Sequence, residues 1–248
     1  MSERTPRCHA MILAGGVGSR VGADVPKQFI EVGGKPILVH TLELFQGHPD
    51  IDEVEVVCIA SCMDEMRRLK ERFGITKATR IVEGGATYQD SVRAGIEGLR
   101  DTCRAGDIVS IHFGASPFVT PEIIADSIYV ARKHGNGISS DPVVLCLAEK
   151  DAADGDRSSV DGIDRDRYMG LNSPQSFEWS LLDRMYREGD ELDIWGSIDP
   201  HTTSLMPALG VRLHFSLGSS TNIKITTAED VDLFRAWLAV RGEAGKGE

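Results

Sequence analysis

The residues with the clearest chemical potential stand near the start of the chain. A glycine cluster, LAGGVGSR over residues 13–20, is followed by VPKQF over 25–29. Glycines placed directly after a strand let bare backbone N–H groups approach phosphate oxygens. Arg20 and Lys27 add positive charge to the same stretch, so it reads as a cradle for a polyphosphate. Glycines alone would say little, because a strand-to-helix turn can need them with no ligand at all; the two cations turn the reading toward phosphate. The spacing is not GxxxxGK[ST], and GGVGSR fits GxGxxG poorly, so neither a P-loop nor a dinucleotide fold is favoured. His112 ends a second apolar run and reads as a structural hydrogen-bonding group rather than a catalyst. Asp199 and His201 lie close in WGSIDPHTTS. They could contribute to a metal or acceptor contact, while Asp199 before Pro200 fits a turn slightly better.

The elements that must position these groups alternate between strand-like and helix-like almost from end to end, which is the α/β signature. HAMILAGG (9–16) is an apolar run ending in glycines, and PILVHTLELFQG (36–47) has Pro at a helix start and Gly at its stop. VEVVCIA (54–60) suits a central strand, and MDEMRRLKERFG (63–74) sets Met66, Leu69 and Phe73 along one helical face. RIVEGG leads into a helix carrying Val92, Ile96 and Leu99, and DIVSIHFG leads into one carrying Ile124, Ile128 and Ala131. A parallel, doubly wound sheet follows from this alternation. Residues 150–166 are polar and acidic with no apolar period and read as an excursion from the core. A helix from about Glu178, strands at 211–218 and 222–226, and a last helix opened by Thr227 with Asp230 as its capping partner complete the chain. The final residues, RGEAGKGE, are expected to fray.

With 248 residues, 41% hydrophobic and 26% charged, the composition is that of a globular protein with a sizeable core. No apolar run reaches the ~20 residues of a membrane helix, and the first ten residues lack a signal peptide's apolar core. The expected partners therefore include no membrane, and the expected compartment is the cytoplasm. A net charge of -11 argues against a sequence-independent grip on nucleic acid; an anionic substrate would need a local basic pocket. The five cysteines, Cys8, Cys58, Cys62, Cys103 and Cys146, contain no CxxC pair and are expected to be reduced, buried and apolar in role.

Taken in order, LAGGVGSR, PKQF, GKPILVHTLELF, GGATYQDSV, SPQSF and NIKITTAED resemble the CTP-dependent cytidylyltransferases that act on methylerythritol phosphate and on ribitol phosphate. GSR, GKPIL and SPQSF lean toward the ribitol-phosphate branch. The resemblance implies one Rossmann-like nucleotidyltransferase domain, a mostly parallel twisted sheet flanked by helices, with a protruding β-arm at 141–170. It also implies a homodimer joined through that arm, CTP as a substrate, and Mg²⁺ or another divalent cation. By the same resemblance, Gly15, Gly16, Gly18 and Ser19 surround the triphosphate, with Arg20, Lys27 and Lys224 on its charged oxygens as catalytic cations. Ala14, Gly85 and Ser91 face the cytosine, although a helix-start hydroxyl accounts for Ser91 equally well. Arg165 and Thr221 take acceptor positions; for Arg165 an ordinary surface arginine is an equal alternative.

The departures from the family pattern fall on the acceptor side. HFGASPF (112–118) puts Phe113 where relatives carry an aspartate and Ser116 where they carry an arginine. Thr87 and Tyr88 replace an acidic residue and an arginine, and Thr221 replaces an aspartate before NIK. With the usual carboxylate gone, Asp199 is the one candidate metal ligand. The expectation is CMP transfer from CTP to a small phosphate or phosphonate that is neither methylerythritol phosphate nor ribitol phosphate. A ribitol-phosphate enzyme with tolerated substitutions, an inactive nucleotide-binding homologue and a preference for another base remain as alternatives.

Overall fold

The computed structural model describes residues 4–16, 26–151, 158–159 and 161–244. In chain order, β1 (Cys8–Ala14) is buried along its whole length, and a small hairpin of β2 (Glu31–Val32) and β3 (Lys35–Pro36) leads into α1 (Ile37–Gly47). Next come β4 (Glu53–Cys58), α2 (Met63–Arg72), β5 (Ala78–Glu83), α3 (Tyr88–Leu99), β6 (Ile108–Phe113) and α4 (Pro121–His134). The strand β7 (Asn136–Pro142) runs out into an arm carrying β8 (Leu147–Ala148) and β9 (Gly162–Ile163), and β10 (Met169–Glu178) returns from it. The chain closes with α5 (Trp179–Glu191), α6 (Thr202–Ala208), β11 (Phe215–Leu217) and α7 (Ala228–Ala244).

Seven of these strands form one sheet in the order β11-β7-β10-β6-β1-β4-β5. Its pairs are parallel except those of β10, which is antiparallel to both β6 and β7. The sheet is thus mostly parallel, as the resemblance implies, with β10 antiparallel to its neighbours. The cause is the arm: β7 leaves the sheet and the chain returns beside it as β10, and a ribbon that doubles back needs no crossover helix.

The side-chain alternation of β1 divides the core. Ala10, Ile12 and Ala14 pack with Leu42, Phe45 and Ile124 on one face, and Met11 and Leu13 pack with Val92, Ile96 and Leu182 on the other. A third cluster, with Val32, Ile37, Phe118 and Phe234, seats α7.

Local signals hold where they are strongest. Thr227 and Asp230 form the expected reciprocal cap, Thr227 N donating to Asp230 Oδ2 at 2.9 Å and Asp230 N to Thr227 Oγ1 at 3.3 Å. The stretch expected to be a strand at 222–226 is not one. Its backbone goes instead to the loop after β6, with Ile225 N donating to the Ala115 carbonyl at 2.8 Å. The strand expected over 211–218 is confined to Phe215–Leu217. Four cysteines are buried as expected, whereas Cys146, on the arm, is exposed. The last helix runs to Ala244, further than expected, and 245–248 fall outside the described residues. Among the described residues, no helix is long and apolar enough to cross a membrane.

Candidate active site

A cavity of about 390 Å³ opens at the carboxyl ends of β1, β4, β5 and β6. Its position follows from the topology. β1 has β4 on one side and β6 on the other, so the chain reverses its direction of travel across the sheet there, and the loops leaving the two strands part to form a crevice. Leu13, Gly15, Gly16, Ile59, Phe113 and Ala115 line it from these strand ends, Gly85 to Tyr88 and Ser91 from the start of α3, and Lys27, Gln28 and Lys224 from outside the sheet.

Short-range interactions explain how each wall is held. Pro26 precedes a single 3-10 turn over Lys27–Phe29, and buried Gln28 fixes that turn by donating from Nε2 to the Ala14 carbonyl at 2.7 Å. Lys27 is thereby laid against the glycines: a Cβ at Gly16 would sit 3.8 Å from its Cε. On the opposite wall, Thr87 caps α3 in a reciprocal box. Thr87 Oγ1 accepts from Asp90 N at 3.1 Å, and Thr87 N donates to Asp90 Oδ2 at 3.2 Å. The loop before this cap lies so close that a Cβ at Gly85 would stand 2.1 Å from Asp90 Cβ, so only glycine fits there. Ser91 Oγ contacts the Gly85 carbonyl at 3.4 Å, keeping the hydroxyl beside the loop. The positive end of the α3 dipole also points at this cavity and favours an anion.

The third wall is aromatic. Lys224 Nζ sits 3.5 Å from the centroid of the Phe113 ring, a cation–π contact. Tyr88 stands 6.0 Å from Phe113 and 4.8 Å from His201, ring to ring. The Tyr88 hydroxyl is 3.1 Å from Thr202 Oγ1, which is itself 2.8 Å from the Tyr186 hydroxyl. Burial pushes the Tyr88 phenol up to about 12, so it stays protonated. Lys224 reaches the wall because Asn222 anchors its segment, Nδ2 donating to the Ser173 carbonyl at 2.6 Å.

His112 lies on the other face of β6. Its ring packs 5.0 Å from Phe45, and Nε2 pairs with the Ser116 carbonyl at 3.0 Å. Burial, with Lys224 adding repulsion, pushes it down to about 4, so it is neutral and structural, as the sequence reading has it.

Of the residues singled out from sequence, Gly15, Gly16, Lys27, Gly85, Ser91 and Lys224 meet in this one cavity. Gly18, Ser19 and Arg20 lie outside the described residues. Ala14 is corrected: one residue past Leu13, its side chain points into the α1 face of the core, and its service to the site is the carbonyl that anchors Gln28. Thr221 is exposed, its hydroxyl 2.8 Å from Ser219 Oγ, and does not line the cavity. Arg165 is exposed on the arm and donates to the Val144 carbonyl. Asp199 is also exposed and outside the lining. Sequence reasoning missed Gln28 and the Thr87 cap, although T-x-x-D before an apolar helix is a signal for the latter. It also missed the Tyr88–Phe113–His201 grouping, for which no local signal exists.

The divalent cation implied by the resemblance finds a poor fit among the protein groups. Mg²⁺ requires oxygen ligands, usually carboxylates and phosphates, and none of the described lining residues is an aspartate or glutamate. The one grouping of possible ligands among the described residues, His9, Cys103 and Asp107, offers a single carboxylate beside a thiol and an imidazole, which do not suit Mg²⁺, and it lies at the opposite end of β1 and β6.

This geometry agrees with comparisons to known proteins. The family model for 2-C-methyl-D-erythritol 4-phosphate cytidylyltransferase matches residues 8–240. A ribitol-5-phosphate cytidylyltransferase from Lacticaseibacillus paracasei is 37% identical over 230 residues, covering 92% of this chain and 97% of that protein. A 2-C-methyl-D-erythritol 4-phosphate cytidylyltransferase from Syntrophus aciditrophicus is 36% identical over 234 residues, covering 94% and 96%. Among solved structures, the 2-C-methyl-D-erythritol 4-phosphate cytidylyltransferase of Thermus thermophilus superposes with a TM-score of 0.72 at 26% identity, covering 93% of this chain and 98% of that one. The chain belongs to this family and is, by class, a CTP-dependent cytidylyltransferase.

Proposed function

We propose that the protein transfers CMP from CTP to a small phosphate- or phosphonate-bearing acceptor and releases pyrophosphate. The observation that carries this reading is the meeting of Lys27 and Lys224, from opposite ends of the chain, with Gly15, Gly16, Gly85 and Ser91 in one crevice at the switch point of the sheet. An ionised oxygen of the acceptor attacks the α-phosphorus of CTP. A new P–O bond forms there, the bond from α-phosphorus to the bridging oxygen breaks, and pyrophosphate leaves with that electron pair. Because both nucleophile and leaving group are anionic, positioning and charge neutralisation supply most of the catalysis. Lys27 and the glycine backbone serve the leaving phosphates, a role that the family resemblance also gives to Arg20, and Lys224 serves the reacting phosphates. Gly85 and Ser91 flank the base, where a bare backbone and a hydroxyl can read cytosine edges.

A homodimer joined through the arm is part of this reading. It is supported by exposed Val144, Leu145, Tyr168 and Leu171 on or beside the arm, apolar surface that a second copy would cover. The relatives named for ribitol 5-phosphate, at 37% identity, favour a second reading in which ribitol 5-phosphate is the acceptor. Calorimetry tests the nucleotide assignment. CTP is expected to bind more tightly than ATP, GTP or UTP, and equal affinity for all four would leave only a generic phosphate cradle. Pyrophosphate release on adding an acceptor separates an enzyme from an inactive nucleotide-binding homologue.

A further inference from the structure

Resting on that reading, we propose that the acceptor is a hydroxyl-poor phosphate or phosphonate whose carbon portion is uncharged and packs on the Tyr88–Phe113 wall. The wall's place in the reaction follows from the cavity itself. The nucleotide's leaving phosphates occupy the glycine and Lys27 side, and the base occupies the Gly85 and Ser91 side. An in-line attack on the α-phosphorus must then come from the remaining side, where Phe113, Tyr88 and Lys224 stand.

Among the described lining residues, the side-chain hydroxyls on that side, those of Thr87 and Tyr88, are committed to the protein. Thr87 Oγ1 donates to Asp90 Oδ2 at 2.7 Å and accepts from Asp90 N. Asp90 is also paired with Arg93 at 2.7 Å. The Tyr88 hydroxyl is turned to Thr202, away from the cavity, so Tyr88 offers a ring face. A polyol phosphate would place several hydroxyls against two rings, with no carboxylate or guanidinium among the described lining residues to receive them, and each hydroxyl stripped of water without a partner lowers affinity. A compact apolar carbon chain suffers no such loss and gains contact with the rings. A cationic acceptor is disfavoured for a separate reason: the Lys224 ammonium already lies 3.5 Å from the Phe113 ring centroid, and a second cation beside it would be repelled.

The test compares propyl phosphate and propylphosphonate with ribitol 5-phosphate and phosphoethanolamine as acceptors, reading kcat/KM for pyrophosphate release with CTP. The propyl compounds are expected to exceed the other two by about 10-fold or more, roughly the effect of one unpaired hydroxyl. Phe113→Asp should lower the ratio of propyl phosphate to ribitol 5-phosphate by about 10-fold, whereas Tyr88→Phe, which keeps the ring, should preserve it. CTP affinity, measured by calorimetry for each variant, confirms that the cavity has formed. Ribitol 5-phosphate or phosphoethanolamine as the best acceptor overturns the proposal, as does CTP binding with no turnover of either propyl compound. Failure of the wild type to bind CTP strikes instead at the cytidylyltransferase reading, and this inference falls with it.

Discussion

Replacing Glu55 with glutamine should remove a pH-dependent weakness built into the core. Glu55 lies in β4, 1% exposed, and neither carboxyl oxygen has a hydrogen-bond partner. It fits only because α3 carries glycines above it: a Cβ at Gly98 would stand 2.3 Å from Oε1, and one at Gly95 would stand 3.0 Å from Oε2. Desolvation raises its pKa from the ordinary 4.5 to about 8, with Arg80 only partly opposing it. Between those values the folded chain holds a proton that the unfolded chain has released, so stability falls as pH rises through this window and levels off above it. Each pH unit in the window is worth about 1.4 kcal/mol. Even with water admitted as β4 and α3 move apart, a loss of about 2–3 kcal/mol by pH 8 relative to pH 5 is expected. Glu55→Gln has no such titration. Urea denaturation of both proteins at pH 5, 6, 7 and 8 should show the variant's relative stability growing by that amount, the comparison cancelling the titration of every other group. Parallel stability profiles would refute the reasoning, because they would mean that the carboxyl ionises in the folded state as freely as in the unfolded chain.

Two further outcomes follow from the site. Lys27→Ala and Lys224→Ala should each reduce turnover by ~10²–10³ while weakening CTP binding less, since the charge they meet grows as pyrophosphate departs; unchanged turnover in both folded variants would remove the cavity as the reaction centre. For His112, held neutral by burial with its pKa near 4 against an ordinary 6.5, the sign is opposite to that of Glu55. As pH falls from 6.5 toward 4 the unfolded chain takes up a proton that the folded chain refuses, so stability drops. His112→Gln, which keeps an N–H donor for the Ser116 carbonyl, should flatten this acid limb by about 2 kcal/mol in urea melts between pH 7 and 4.5; an unaltered limb would show the imidazole is protonated in place.

Several features of this protein were written locally and could be read from sequence. The strand, glycine cluster and helix at the start, the Thr227 and Asp230 cap, and the helical faces of α3 and α4 all depend on residues within a few positions of one another. Propensity, capping and apolar period act over that range. So does the pairing of glycines with a nearby cation, which is why Gly15, Gly16 and Lys27, which meet in one cavity, were legible as a unit with the chemistry to meet phosphate. Lys224 was legible only through its motif, because no local rule tells a lysine near the end of the chain that it will meet a loop near the beginning.

The tertiary structure decided the rest. The direction of β10 depends on the arm folding back beside β7, a choice made over the length of the excursion and not by the strand's own residues. Whether Ala14 serves the site or the core turns on one step of side-chain alternation, settled by which face of β1 meets α1. The ionisation of Glu55 depends on α3 packing over it, since desolvation is a property of the surroundings and not of the carboxyl. Phe113 shows the same division. From sequence it is a missing carboxylate, and only the folded chain, by bringing Lys224 over its ring and Tyr88 beside it, makes it a wall of the site.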